Sequence, residues 1–252
     1  MERSMARENY GGLTVSKIHR ETPPGFFRRH GPKGRIVFEP DEITKTIHHL
    51  VLKSNRLENV RFPDQFDCIR PHLSNRFFLK LDLRNAFDSV KEFDAEVMLD
   101  LHFGLDAKYF FHQHGGLIQG APASPILFNL YCKEILDKPL VRYCRKSRIT
   151  YTRYFDDLLF SSQGYTGWLK ARSRGIRDII KKSGLRINEK KTILVDNKYI
   201  PIKYLGVRMH NGKSQPTEEF LQKLSRAQVG SEEYHGLLGW NRRVLALNIP
   251  DG

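Results

Sequence analysis

Three aspartates offer the clearest chemistry in this sequence. Asp156 and Asp157 stand side by side within the run 149–162, flanked by strand-forming residues that predict a β-hairpin with the acidic pair at its tip. Neighbouring carboxylates repel each other, and a divalent cation would remove that cost. Asp82 lies in a second apolar run, 77–83. Taken alone, Asp82 could equally be a turn former at a strand end. Together the three fit a two-metal site for phosphoryl transfer.

The elements that must position these aspartates mix strands and helices irregularly. A strand-like run at 35–40 precedes a helix that Asp41 caps and that extends to about Leu57, with an apolar face formed by Ile43, Ile47, Leu50 and Val51. Further on we expect a strand at 77–83, a helix at 92–103, the hairpin at 149–161, a basic helix at 166–183 with Trp168, Ile176, Ile179 and Ile180 on one face, a β segment at 186–209 and a helical tail at 217–247. This order predicts an α+β fold with a mostly antiparallel sheet backed by helices.

A loop broken by glycine and proline occupies 115–125. Ser124 followed by Pro125 predicts a helix start, with the serine as N-cap, and the helix should extend to about Asp137.

Charge points to a polyanionic partner. The 252 residues include 42 basic and 28 acidic side chains, which gives a formal net charge of +14. Such an excess favours nucleic acid, although a basic surface that only keeps the protein in solution is the plainer alternative. The tracts 142–153 and 170–191 could follow phosphates, and a solvated helix face would explain part of the second tract equally well.

The sequence predicts a protein of a reducing compartment, the cytoplasm. It contains no run of about 18 apolar residues, so we expect no membrane span. The N-terminal residues lack the apolar core of a signal peptide. The three cysteines are scattered and form no Cys-x-x-Cys pair, as is typical of ordinary thiols.

Six blocks in order resemble the motifs of reverse transcriptases, most closely those of bacterial retrons and group II introns. They span 35–40, 77–90, 115–131, 151–161, 184–192 and 203–207. The segments Gln-Gly-Ala-Pro-Ala-Ser-Pro (119–125) and Tyr-Thr-Arg-Tyr-Phe-Asp-Asp (151–157) are especially retron-like. The resemblance implies a right-hand polymerase fold with a palm, reduced fingers and a short helical thumb. The implied division is 1–76 for an N-terminal extension and fingers, 77–209 for the palm with interleaved fingers elements, and 210–252 for the thumb.

The resemblance also implies roles for the acidic residues. Asp82, Asp156 and Asp157 would hold two Mg²⁺ ions, for which Mn²⁺ could substitute, and the backbone carbonyl of Leu83 would complete the metal site. Lys191 would act as a general acid for pyrophosphate or as an electrostatic stabiliser, unless it is a solvated lysine of a basic run. Tyr204 to Gly206 would form the turn that positions the primer end.

Residues in the first half of the chain would hold the nucleotide. By resemblance, Phe87 is a steric gate against the 2′-hydroxyl. Without the resemblance it would be taken for a core aromatic, because phenylalanine is usually buried. Arg35, with Lys33 as the weaker match, would grip the triphosphate, because a guanidinium donates two hydrogen bonds together. Gln119 and Gly120 would lie near the nucleotide and template, where glycine allows a close backbone approach.

These features predict an RNA-directed DNA polymerase that extends a 3′-hydroxyl with deoxynucleotides. The expected partners are a structured non-coding RNA as template, with the primer as its second potential role, deoxynucleotides and the DNA product. A second copy or an accessory protein could also take part, and we expect no membrane partner. A role in a retron or in antiviral defence would fit. The alternatives are a template-independent or protein-primed polymerase, and an RNA-binding scaffold that retains the fold.

Overall fold

The computed structural model describes residues 22–31, 36–54, 57, 60, 62–91, 104–112 and 115–248. Its strands are β1 (Phe26–His30), β2 (Ile36–Pro40), β3 (Phe77–Asp82), β4 (Thr150–Tyr154), β5 (Asp157–Ser162), β6 (Ile193–Asp196), β7 (Ile202–Tyr204), β8 (Val207–His210) and β9 (Lys213–Pro216). Its α-helices are α1 (Glu42–Lys53), α2 (Gln65–Ile69), α3 (Ser124–Tyr131), α4 (Lys138–Lys146), α5 (Thr166–Lys182), α6 (Glu218–Arg226) and α7 (Glu232–Ala246). The paired strands are antiparallel, so the predicted α+β class is confirmed. The predicted helix at 92–103 lies outside the described residues.

The chain forms two compact units, each discontinuous in sequence. The first contains 1–58 and 87–127, and the second contains 59–86 and 128–252. The predicted division into fingers, palm and thumb stays a prediction.

In the first unit, β1 and β2 form a two-stranded sheet and α1 follows β2 directly. Asp41 caps α1 as predicted, because its carboxylate accepts a hydrogen bond of 2.8 Å from the backbone N–H of Thr44.

The predicted apolar face of α1 was wrong in part. Ile43 and Leu50 are exposed, and the buried side chains are Thr44, His48 and Val51. The imidazole of His48 explains the difference, since its two nitrogens bond to the carbonyl of Tyr109 and to the backbone N–H of Ala123. Polar partners from distant parts of the chain therefore select which side of α1 is buried, and apolar periodicity alone could not reveal them.

In the second unit, a four-stranded sheet in the order β4-β5-β3-β6 carries the candidate catalytic residues. Because side chains alternate along a strand, Phe78, Lys80 and Asp82 of β3 share one face of this sheet. We call it the carboxylate face. Phe78 and Leu159 pack there in a core cluster with the three-stranded sheet β7-β8-β9, α2 and α7. The opposite face is covered by α4 and α5, which contact β4, β3 and β6.

A long helical segment crosses this opposite face and ends later than predicted. It begins with α3, passes through a π-helical stretch at Cys132–Asp137, and continues as α4 to Lys146 instead of stopping near Asp137. All residues from Ile126 to Cys132 are buried, and from Cys132 onward the buried side chains recur at every fourth position: Cys132, Leu136, Leu140 and Cys144. In a regular α-helix, side chains four positions apart shift steadily around the helix axis. A π turn contains more residues and shifts them back, so side chains at every fourth position stay on the same side of the segment.

The N-cap role predicted for Ser124 stays a prediction. Its hydroxyl is buried and donates a hydrogen bond of 2.6 Å to the carbonyl of Ile118, a contact that the sequence did not predict. The helix start itself is confirmed, because α3 begins at Ser124.

The remaining elements agree well with the prediction. The hairpin β4–β5 and the helix α5 lie where expected, with Leu169, Ile176 and Ile180 buried on α5. The predicted tail forms α6 and α7. Within the described residues, no helix is both long and apolar enough to cross a membrane.

Candidate active site

The end of the four-stranded sheet brings the three aspartates together. Asp82, the last residue of β3, pairs directly with Asp157, the first residue of β5. Residues directly opposite on neighbouring strands point to the same face, so both side chains lie on the carboxylate face. The backbone N–H of Leu83 donates to the carbonyl of Asp156 at 2.9 Å, which ties the hairpin turn to the end of β3.

The turn that presents Asp156 is tight and unusual. Tyr154 pairs with Asp157, so only Phe155 and Asp156 form the loop, and Phe155 has a φ of +54° without being glycine. Such a conformation is unfavourable for a bulky residue and persists only when its surroundings hold it. The Phe155 ring stacks on Phe62 at 4.0 Å between centroids and meets Tyr154 edge-on at 4.9 Å.

A buried arginine supports the same turn from the opposite face of the sheet. Arg153, whose side chain is 5% exposed, donates to the carbonyl of Phe155 at 3.0 Å. Its other donors bond to Asn129 at 2.8 Å and to both carboxylate oxygens of Asp137, the nearer at 2.6 Å. Burial would lower the pKa of Arg153, but its hydrogen bonds to Asp137 raise that pKa above the ordinary value. The arginine therefore connects the turn rigidly to the end of the π-helical stretch.

Cationic side chains balance two of the three aspartates. Lys191 Nζ lies 2.9 Å from Asp82 Oδ2, and the side-chain amide of Asn188 donates to Asp82 Oδ1 at 3.0 Å. Lys80 Nζ lies 3.4 Å from Asp157 Oδ1. These lysines place positive charge where a metal-free carboxylate site needs it.

Among the residues that the structure describes, no lysine or arginine forms an ion pair with Asp156. Burial raises the pKa of Asp156 above its usual value, and the nearby charges of Asp157 and Asp82 raise it further, while Lys191 acts in the other direction. A carboxyl with a raised pKa at a site of clustered negative charge is a common mark of function.

The donor set suits a hard divalent cation that substrate phosphates help to bind. Across the part of the chain that the structure describes, no group of three His, Cys, Asp or Glu side chains is arranged to hold a metal by itself. Mg²⁺ is usually bound by one or two carboxylates together with substrate phosphates and water, so it needs no closed protein cage. Asp82, Asp157 and Asp156 supply such carboxylates, with Leu83 next to them on the chain, and these residues fit the ion.

The first unit contains the residues predicted to bind the nucleotide, and it brings Phe87, Gln119 and Gly120 near one another. The backbone N–H of Leu117 donates to the carbonyl of Phe87 at 2.9 Å, and the side-chain amide of Gln119 donates to Asp88 at 3.2 Å. Gly120 has a φ of +98°, and a Cβ there would lie 2.7 Å from the carbonyl oxygen of Phe38. Glycine is therefore required at this position for steric reasons within the chain. Lys33 and Arg35 lie outside the described residues.

The turn at Tyr204–Gly206 lies beside the carboxylates. The hydroxyl of Tyr204 donates to the backbone carbonyl of Asp157 at 3.4 Å. Gly206 has a φ of +78° and packs under the ring of Trp240, to which a Cβ would come within 3.2 Å. The turn is thus fixed between the catalytic strand and α7.

Sequence reasoning missed three residues that contact this site: Lys80, Asn188 and Arg153. Lys80 could have been predicted from the sequence, because a residue two positions before Asp82 on a strand must lie on the same face as Asp82. The contacts of Asn188 and Arg153 depend on how distant segments pack, which no local pattern reveals.

Comparison with known proteins agrees with this geometry. Residues 37–209 match the family model described as reverse transcriptase (RNA-dependent DNA polymerase). The chain is 31% identical over 185 residues to the retron Ec86 reverse transcriptase of Escherichia coli, and this alignment covers 66% of the present chain and 56% of that protein. It is also 31% identical to the retron Mx65 reverse transcriptase of Myxococcus xanthus, over 48% of this chain and 34% of that protein. The chain thus spans about half or less of the length of these curated relatives, and the resemblance to retron enzymes is confirmed.

Solved structures support the polymerase fold. A foamy viral protease–reverse transcriptase in complex with double-stranded DNA superposes with a TM-score of 0.52 and 19% identity, over 85% of this chain and 34% of that chain. Telomerase from Candida albicans, in complex with a fragment of telomeric RNA, gives a TM-score of 0.52 and 13% identity, over 92% of this chain and 56% of that chain. The family match covers more than half of the sequence, and its residues include the paired aspartates at the sheet end. The chain belongs to the reverse transcriptase family.

Proposed function

We propose that this protein is an RNA-directed DNA polymerase that extends a 3′-hydroxyl with deoxynucleotides. The observation that carries the proposal is the pairing of Asp82 with Asp157, with Asp156 in the adjoining turn, inside a segment that matches reverse transcriptases. Phosphoryl transfer needs positioning and charge stabilisation more than covalent chemistry, and clustered carboxylates at a fixed sheet end supply both when a cation is present.

Asp82, Asp156 and Asp157 are the proposed ligands of two Mg²⁺ ions, with the Leu83 carbonyl and with Mn²⁺ as a substitute. When bound, such ions activate the primer hydroxyl and neutralise the departing pyrophosphate. The chain's own contribution is to hold the carboxylates in register through β3 and β5 and to fix the turn through Phe155 and Arg153.

Other residues would act on the nucleotide. Lys191 is the proposed general acid or electrostatic stabiliser for pyrophosphate, and the contact of its ammonium with Asp82 supports this position. Phe87 would exclude ribonucleotides by contact with the 2′-hydroxyl. Arg35 and Lys33 would bind the triphosphate, and Gln119 with Gly120 would lie beside the base pair.

The proposed biological partner is a structured non-coding RNA that serves as template. The curated relatives are named as retron reverse transcriptases, which supports a retron role. Antiviral defence and a cytoplasmic location are further parts of the proposal. The proposed lobes are fingers within 1–76, palm within 77–209 and thumb within 210–252. A second copy or an accessory protein could complete the assembly.

Primer extension on an annealed RNA template tests the proposal. Wild-type protein with Mg²⁺ should make template-length DNA from deoxynucleotides and little product from ribonucleotides, whereas Asp156→Asn should make none. Phe87→Ala should incorporate ribonucleotides more readily and keep its use of deoxynucleotides. Sequencing the product separates copying from untemplated addition. Wild-type protein that incorporates no deoxynucleotide on any of several structured RNA templates would overturn the proposal.

A further inference from the structure

The helices α4 and α5 carry an unusual excess of positive charge. Residues 138–148 contain five basic side chains and no acidic one, and residues 166–182 contain six basic side chains and a single aspartate, Asp178. Like charges on neighbouring helices repel each other, so this arrangement works against folding unless an outside partner offsets it.

The two helices pack side by side and combine their charges into one surface. The hydroxyl of Tyr143 on α4 donates to the backbone carbonyl of Arg172 on α5 at 3.1 Å, and a Cβ on Gly175 would lie 2.4 Å from that hydroxyl. The indole of Trp168 donates to the carbonyl of Ser147 at 3.4 Å. The absence of a side chain at Gly175 thus permits the close approach of the helices.

The chain itself leaves most of this charge unbalanced. Lys138 pairs with Glu134, and Arg177 pairs with Glu189. Within the described part of the chain, no carboxylate pairs with the following exposed side chains, which together we call the α4–α5 basic face: Arg142, Arg145, Lys146, Arg148, Lys170, Arg174, Lys181 and Lys182.

This basic face lies across the sheet from the candidate catalytic residues. Asp82 and Asp157 point to the carboxylate face, whereas Tyr151 and Arg153 point to the other face and bond to Asp137 at the start of α4. A duplex held at the carboxylates is therefore separated from the outer side of α4 and α5 by the sheet itself. The two surfaces need different segments of nucleic acid.

The chemistry of the face favours a base-paired partner. Proteins that bind single strands present aromatic rings on which bases stack. Within the two helices, the aromatic side chains are already engaged, since Arg172 covers the ring of Trp168 at 4.3 Å and the hydroxyl of Tyr143 is bonded to α5. One exposed ring, Tyr165, precedes α5, but the exposed lysines and arginines of the face outnumber it and suit the phosphates of a duplex, where counterion release drives binding.

We infer that the α4–α5 basic face binds the phosphate backbone of a base-paired segment of the template RNA, outside the catalytic cleft. This inference rests on the proposed function and adds to it a second nucleic-acid surface on the opposite side of the sheet. A structured RNA would then be held at two places, and its paired segment would anchor the molecule while its unpaired template segment moves through the active site.

Binding of a fluorescein-labelled RNA hairpin with a fully paired stem tests the inference. The triple variant Arg142→Gln, Lys146→Gln, Lys182→Gln removes three charges from the face. The matched control Lys53→Gln, Lys198→Gln, Lys213→Gln removes three exposed charges elsewhere. We expect the first variant to weaken hairpin binding by about tenfold or more and to reduce the salt dependence by about one unit per lost phosphate contact, and the control to change both much less.

Extension of a short primer–template without a stem is the second measurement, and both triple variants should retain the wild-type rate. Equal weakening of hairpin binding in the two triple variants would show that only total charge matters and would overturn the inference. A failure of the polymerase proposal gives a different pattern, in which wild-type protein binds the hairpin through the basic face and extends no primer. Melting temperatures confirm that each variant is folded.

Discussion

The carboxylate site and the α4–α5 basic face treat charge in opposite ways. At the carboxylate site, Lys191 and Lys80 lie within 4 Å of Asp82 and Asp157, so the chain itself balances much of the negative charge. On the basic face, the exposed cations have no carboxylate partners within the described residues. At the carboxylate site the chain supplies its own cations, whereas the basic face relies on a bound partner for its counter-charge. The two surfaces should therefore respond differently to the loss of a single charge.

Of the variants that test this comparison, Asp156→Asn should have the largest effect, and the quantity affected is the rate of primer extension. It removes a carboxylate that no lysine contacts, and we expect the extension rate to fall roughly a thousandfold or more, because metal-assisted charge stabilisation contributes several kcal/mol. Primer extension at saturating Mg²⁺ measures it. The matched control is Asp178→Asn on the basic face, which should leave extension unchanged and tighten binding of the RNA hairpin slightly. Comparable losses in both variants would contradict the assignment of Asp156.

Arg153→Gln should have the second largest effect, and it tests how firmly the hairpin turn at the carboxylate site is held. It leaves the carboxylate of Asp137 without its buried partner, so the free energy of unfolding should fall by about 3–5 kcal/mol. Denaturant titration measures this loss. Hydrogen exchange at the amide of Leu83, which bonds to the carbonyl of Asp156, should also become faster.

Arg76→Gln is the control for that variant, since Arg76 forms a bidentate pair with Asp196 at the exposed edge strand. It should cost much less stability and leave exchange at Leu83 unchanged. Unaltered exchange at Leu83 in a folded Arg153 variant would mean that the arginine does not hold the turn.

Lys191→Gln should have an intermediate effect on rate and little effect on stability. The side chain of Lys191 is 60% exposed, so the ion pair with Asp82 contributes little to folding. We expect the extension rate to fall by about a hundredfold if the lysine protonates pyrophosphate, together with a flatter alkaline side of the pH–rate profile. Lys190→Gln, one residue away and also exposed, is the matched control. An identical rate in the two variants would assign Lys191 to the solvated surface.

The smallest effect should appear in the metal-free protein as a function of pH. Because the pKa of Asp156 is raised above 3.8, the folded state binds a proton more readily than the unfolded state. The free energy of unfolding therefore falls as the pH rises through the window between 3.8 and the raised pKa. Asp156→Asn removes that loss, so in EDTA the variant should be more stable than wild type near neutral pH. The difference should vanish as the pH falls below the window. Denaturant titrations of both proteins across this range measure it, and a variant that is less stable near neutral pH would contradict the raised pKa.

The parts of the fold that could be predicted from sequence are those with strong local signals. The hairpin β4–β5 combines strand formers on both sides with polar residues at its tip, and Asp41 precedes an apolar periodic run, so both positions were predicted correctly. The grouping of Asp82 with Asp156 and Asp157 was predicted from their residue types and from the ordered motifs, whereas the pairing of Asp82 with Asp157 across strands was not predicted. The antiparallel register that unites them could not be derived from these signals.

The errors and the missed contacts came where distant groups decide a local choice. His48 is buried in place of Ile43 and Leu50 because a carbonyl and an amide from other segments bond to its ring. Ser124 donates to Ile118 because the preceding loop folds back on it. Asp137, the carboxylate partner of Arg153, comes from the π-helical stretch, which was not predicted at all.

That π-helical stretch has a consequence for the evolution of the chain. Removing one residue between 132 and 137 would restore a regular α-helix there and rotate everything beyond it by about 100° around the helix axis. The rotation would take Leu140 and Cys144 out of the core and turn Arg142 and Lys146 away from their present side. We expect this stretch to reject single-residue deletions even where it tolerates substitutions, outside Cys132, Leu136 and Asp137. Its length fixes the rotation of α4, and therefore which of its side chains face the sheet and which face the solvent.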